Sequence, residues 1–139
     1  MPDSELQRED DPSIPDDELL WRRICNQPAW WKIEPGGSLR PSSVAFLDSY
    51  TGEVSVNRAS LTTREKTLAG RPDDGLIEIE AAFPRSLGHR VVSDPEPDNP
   101  AHALILPPAT QTPKTRKADA RRMAEAARWL VFPKDHRSR

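Results

Sequence analysis

One cysteine, Cys25, in 139 residues excludes an internal disulfide. On an expected apolar helix face it reads as a small buried hydrophobe. Three scattered histidines and that lone thiol offer no tight ligand spacing, so neither a metal nor a cofactor is expected. Six glycines are few, and none forms a Walker or dinucleotide phosphate loop. The glycine-flanked serine of a nucleophile elbow is missing as well. No apolar run approaches the ~20 residues of a membrane span. The first residues are acidic and lack the apolar stretch of a signal peptide, so a reducing, cytoplasmic location is the expectation.

Proline is plentiful instead, at fifteen residues, so turns are set more by proline than by glycine. Hydrophobic residues make up 35% and mean hydropathy is -0.73, low enough that part of the chain must be solvated. Net charge is only -2, but its distribution is polar. Eight acids lie between Asp3 and Glu18, and nine Lys or Arg between Lys114 and Arg139. Residues 1–14 therefore read as a disordered acidic segment, 15–132 as one α+β domain, and 133–139 as a basic tail.

Hydrophobic periodicity divides that middle. Pro15 suits a helix start, with Leu20 and Ile24 on one face before Pro28. Trp30, Trp31 and Ile33 suggest a short strand ended by Pro35-Gly36-Gly37. Ser42 or Ser43 caps a helical turn through Leu47, and Tyr50-Thr51-Gly52-Glu53 turns into a strand at Val54 and Val56. Thr62 or Thr63 caps a helix closed by Gly70. Ile77, Ile79 and Ala81 alternate as a strand, Val91-Val92 forms another, and 101–106 a third. A basic amphipathic helix is predicted from about Thr115 to Leu130, with Met123, Ala127 and Leu130 inward. The whole predicts α+β, with a small, mainly antiparallel sheet and short helices.

Two rigid polar stretches, Arg40-Pro41-Ser42-Ser43 and Asp94 through His102, are the candidate site. Loops on a scaffold commonly carry function. His102, at the start of an apolar strand, has the residue type for a general base. Arg40 with Ser42, Ser43 and a helical N-terminus suits an anion. Arg40, Ser43, Arg85 and His102 together would suit RNA cleavage, which needs a base, an acid and a cationic clamp. Asn99 is a binding candidate beside His102. Lys117, Arg121 and Arg128 fall on one face of the predicted helix and could track a phosphate backbone.

The segments Leu19-Leu20-Trp21-Arg22-Arg23-Ile24, Arg40-Pro41-Ser42-Ser43-Val44-Ala45-Phe46 and Asp94 to Ala103 resemble those of a family of small bacterial proteins. The resemblance spans about residues 16–132; it implies a bacterial origin and no activity. A glycine often follows the last strand in that family, where this chain has Pro107. The reading at this point is a binding or accessory protein whose partner is another protein in a multi-component system. The alternatives are a small toxin-like RNA-acting enzyme using His102, Arg40 and Ser43, and an anion or nucleotide sensor.

Overall fold

The structure, a computed structural model, describes residues 8–47 and 52–136. Eight strands and three helices make an α+β fold. The strands are β1 (Leu19–Ile24), β2 (Trp31–Ile33), β3 (Leu39–Pro41), β4 (Val54–Arg58), β5 (Gly75–Glu80), β6 (Arg90–Ser93), β7 (His102–Leu106) and β8 (Arg128–Val131). The helices are α1 (Arg64–Thr67), α2 (Ala82–Ser86) and α3 (Pro113–Ala126). Six strands form one sheet in the order β6-β7-β4-β1-β5-β8, every neighbouring pair antiparallel. β2 and β3 form a separate hairpin.

Alternation gives the sheet two unlike faces. Leu20, Ile24, Val56, Ile77, Ile79 and Ile105 join the main core cluster, with α3 contributing Ala120, Met123 and Ala124. Those three helical positions share one stripe by their spacing. Thr112 and Thr115 cap α3 reciprocally, and Pro113 occupies its first turn. The 3-10 turn Ser43–Phe46 adds Ala45 and Phe46 to the same layer. On the opposite face Val92, Leu104 and Leu106 form a small buried apolar cluster.

Three expectations change. Residues 19–24 are a strand, not a helix. A spacing of four, as between Leu20 and Ile24, satisfies period 2 as well as period 3.6, and Arg22 between them is also buried. The last helix ends at Ala126, because Arg128–Val131 turns extended to pair with β5. Trp-Leu-Val-Phe is a β-favouring run, and without β8 the apolar β5 would lie at an open edge. That removes Arg128 from any basic helical face, and Ala127 and Leu130 from its apolar stripe. Cys25 is half-buried just beyond β1, not on a helix.

The N-terminal acidic segment also departs from its expectation where it is described. Residues 8–14 lie along the outer edge of β6, with Asp11 N–H donating to Val91 O at 2.9 Å and the Asp10 carboxylate accepting from Val91 N–H at 2.8 Å. Ile14 is buried in the core. Arg85 holds this strap, donating to Asp10 (3.0 Å), Asp16 (2.8 Å) and Asp11 O (2.9 Å). Burial alone would lower the Arg85 guanidinium, but hydrogen bonds to Asp10 and Asp16 outweigh it and raise it above its ordinary value. The hydroxyl and amide of Ser13 hold the Asp11 carboxyl below its ordinary value. Acid content misled because these carboxylates are matched by arginines remote in sequence. Residues 1–7, Tyr50 and Thr51 of the expected turn, and the tail from 137 lie outside the described residues. The tail's first residues are anchored: Lys134 N–H donates to Asp73 O and Asp135 N–H to Asn26 Oδ1.

Candidate functional site

Sheet register assembles a row of hydrogen-bonding side chains across the face opposite α3. Arg128 stands opposite Glu78, Glu78 opposite Trp21, Trp21 opposite Asn57, and Asn57 opposite His102. Paired residues of an antiparallel sheet point to the same side, so five strands contribute to one transverse line. Arg128 pairs with the buried Glu78 carboxylate. Trp21 directs its indole N–H to the same carboxylate at 3.4 Å.

Over the His102 end of this row opens a cleft of about 750 Å³. Trp21, Asn57 and His102 line it together with Ser55. One wall is the segment from Leu61 through α1 to Ala69; the other is the loop Glu96–Pro100. Each wall has a local cause. Thr63 caps α1 by accepting from Lys66 N–H, and Gly70 leaves it at φ +78°, a conformation glycine adopts without a Cβ penalty. The loop closes on itself through Glu96 and Asn99, whose amides and carbonyls exchange bonds at 3.0 Å in both directions. Three prolines, Pro95, Pro97 and Pro100, restrict the rest. Walls and floor are tied by Asn57, which accepts from Asn99 Nδ2 at 2.9 Å and donates to Thr67 Oγ1 at 3.2 Å.

His102 is held from behind. Its Nδ1 lies 3.0 Å from Asp94 Oδ2 and 2.9 Å from Asp94 O. Both neighbours are acceptors, so Nδ1 carries the proton and the neutral ring keeps its lone pair on Nε2. Asp94 in turn receives Arg8 Nη1 at 3.1 Å. A strap residue, a hairpin carboxylate and a strand histidine thus form one chain of contacts ending at the cleft. The His102 side chain is 14% exposed.

The other candidate residues do not meet it. Ser43 begins the 3-10 turn that packs with α3 on the opposite side of the sheet. Arg40, in the β2–β3 hairpin, is ion-paired with Glu34. Ser42 is buried; its hydroxyl donates to Ala29 O at 2.7 Å and accepts from Val44 N–H at 3.3 Å. The anion pocket expected there is therefore occupied by the chain's own groups. Arg85 serves the strap, and Arg121 is exposed on α3 with Glu125 at 3.5 Å. Only Asn99 joins His102. His89 is buried away from this cleft, 2.8 Å from Asp119 of α3. Among the described residues no cluster of three or more His, Cys, Asp or Glu is arranged to hold a metal. None of their helices is long and apolar enough to cross a membrane.

Sequence reasoning had placed Trp21 on a helix and attached no role to Asn57, Lys66 or Thr67. The one usable signal was that Leu20 and Ile24, four apart, fit period 2 as well as period 3.6. Once 19–24 is a strand, Trp21 must face away from Leu20, Arg22 and Ile24. No known family model, curated protein or solved structure matches the chain.

Proposed function

We propose that this chain is a small binding protein, an accessory component of a multi-component system, that receives part of a partner protein in the cleft beside His102. The observation that carries this reading is the cleft itself. It is walled by two braced loops, floored by polar groups and Trp21, and large enough for a substantial ligand. Of the groups that cleavage chemistry would add, Arg40 is paired with Glu34 and Ser43 lies on the other side of the sheet. The anion-sensing reading loses its basis with Arg40 and Ser42 engaged internally. Nucleic-acid binding through α3 loses Arg128, and Asp119 and Glu125 interrupt the remaining basic helix. A cytoplasmic setting suits a chain with one unpaired thiol.

A photo-crosslinker placed at Thr62, on the cleft wall, is expected to give one defined adduct with a host protein. The same group at Arg121, across the sheet, should give none. Adducts of equal yield at both positions, or none at either, would overturn the proposal.

A second reading rests on the His102–Asp94 contact, which fixes the tautomer a general base requires. As an RNA-acting enzyme the protein would arrest growth on expression, and His102→Ala would abolish the arrest while leaving the fold intact. Undiminished arrest by that variant would sink this reading.

A further inference from the structure

The cleft bears unspent charge of opposite sign on its two walls. Glu96 and Asp98 stand on the β6–β7 hairpin, and Lys66 on α1, with Arg23 of β1 below it. The side chains of Glu96, Asp98 and Lys66 make no ion pair or hydrogen bond with the described residues. Elsewhere on this part of the fold, carboxylates are matched by arginine. Glu18 takes Arg58, Asp94 takes Arg8, Asp74 takes Arg23 and Glu78 takes Arg128. Arg23 is thus partly engaged, at 3.3 Å from Asp74, which leaves Lys66 as the cation facing the opening.

The Asn57 side chain sets the separation, bonding Asn99 of the hairpin at 2.9 Å and Thr67, next to Lys66, at 3.2 Å. Two hydrogen bonds and the amide between them amount to roughly 8 Å. That is about one Debye length at physiological salt, so in water the two walls barely neutralise one another. A ligand that spans them gains from both. A nucleic acid or an anionic lipid surface would gain from Lys66 but meet repulsion from two unmatched carboxylates. A dipolar ligand meets neither problem. An extended peptide advances about 3.3 Å per residue and returns to the same side every second residue. Side chains two or four residues apart therefore share a side and reach both walls. Between the walls, the Trp21 ring and the rim residue Leu61, 48% exposed, offer apolar surface for the intervening positions.

We propose that the cleft takes an extended peptide segment carrying a cationic side chain and a carboxylate two or four residues apart. The cation lies against Glu96 and Asp98, the carboxylate against Lys66. This assignment rests on the binding reading above and gives the partner segment its chemistry.

The test is a titration of the full isotope-labelled chain, followed by NMR, with three short capped peptides. One carries lysine and glutamate separated by three alanines; the controls carry lysine at both positions or glutamate at both. The mixed peptide should shift the Trp21 indole and Asn99 amide resonances. It should bind roughly five- to tenfold more tightly than either control, the gain expected when one solvent-exposed ion pair replaces one like-charge contact, and weaken as salt is raised. Lys66→Glu should move the preference to the doubly basic peptide, and Glu96→Lys with Asp98→Lys to the doubly acidic one. All three variant side chains are exposed, so the resonances of the core report an unchanged fold. Equal binding of the three peptides, or no binding of any, overturns the assignment. If the Thr62 crosslink still gives its adduct, the charge assignment alone has failed. If that adduct is absent too, the cleft is not a binding site.

Discussion

Arg58→Ala is expected to lower folding stability by about 3 kcal/mol, read as a shift of the urea midpoint at constant slope. Arg58 Nε lies 2.9 Å from Glu18 Oε1, and the Glu18 side chain is only 5% exposed. Losing the arginine strands a carboxylate that water barely reaches, and breaking a buried pair in this way typically costs about 3–5 kcal/mol. The loss should fall at the low end, because the Ser60 hydroxyl still donates to Glu18 at 2.7 Å. A double variant, Glu18→Gln with Arg58→Met, should regain most of the stability, since it removes the stranded charge and keeps the volume. A single-variant cost below about 1 kcal/mol would mean that Glu18 is solvated in solution. The pair joins the start of β1 to the end of β4, where Leu20 stands opposite Arg58. It therefore braces the two strands that carry Trp21 and Asn57 into the cleft floor.

Leu20→Ala should cost a comparable amount, about 2–5 kcal/mol, and Leu19→Ala about 1 kcal/mol or less. Leu20 is fully buried between β4 and β5, whereas Leu19 faces the other side of the sheet and is half-buried. The ratio of the two losses is what the experiment reads. In the helix expected from the sequence, Leu19 would widen the apolar face formed by Leu20 and Ile24, and truncating Leu19 or Leu20 would cost similar amounts. Near-equal losses in thermal or urea unfolding would therefore contradict a strand at 19–24. The same alternation decides where Trp21 points, so this measurement also tests the floor of the cleft.

Much of the architecture is legible in the sequence. Val54 with Val56, the run from Ile77, Val91-Val92 and the stretch leading to Leu106 all appear as strands. Ser42 and Thr63 act as caps, and Pro35-Gly36-Gly37 turns the β2–β3 hairpin. Local rules suffice in those places because alternation, capping and turn chemistry agree. They failed at 19–24, where two apolar residues four apart fit either period, and at 128–131, where a helical stripe continues on paper into residues that an open sheet edge recruits. The strap was illegible for another reason. Arg85 meets Asp10 across 75 positions, and composition carries no information about such pairing.

The candidate site divides along the same line. The rigid loop ending in His102 could be read directly, since prolines and polar residues between two apolar runs specify a braced turn. Its companions could not. Arg40 and Ser43 looked equally suited to accompany His102, yet the sheet separates them, because β7 presents His102 to one face while the 3-10 turn docks with α3 on the other. The sequence by itself determined the α+β class, most strands and the existence of a polar loop, since each depends on neighbours within a few residues. Only the tertiary structure decided that Trp21, Asn57, Lys66 and Asn99 surround His102, because strand register and the path of the β4–β5 connection bring together residues that share no local pattern.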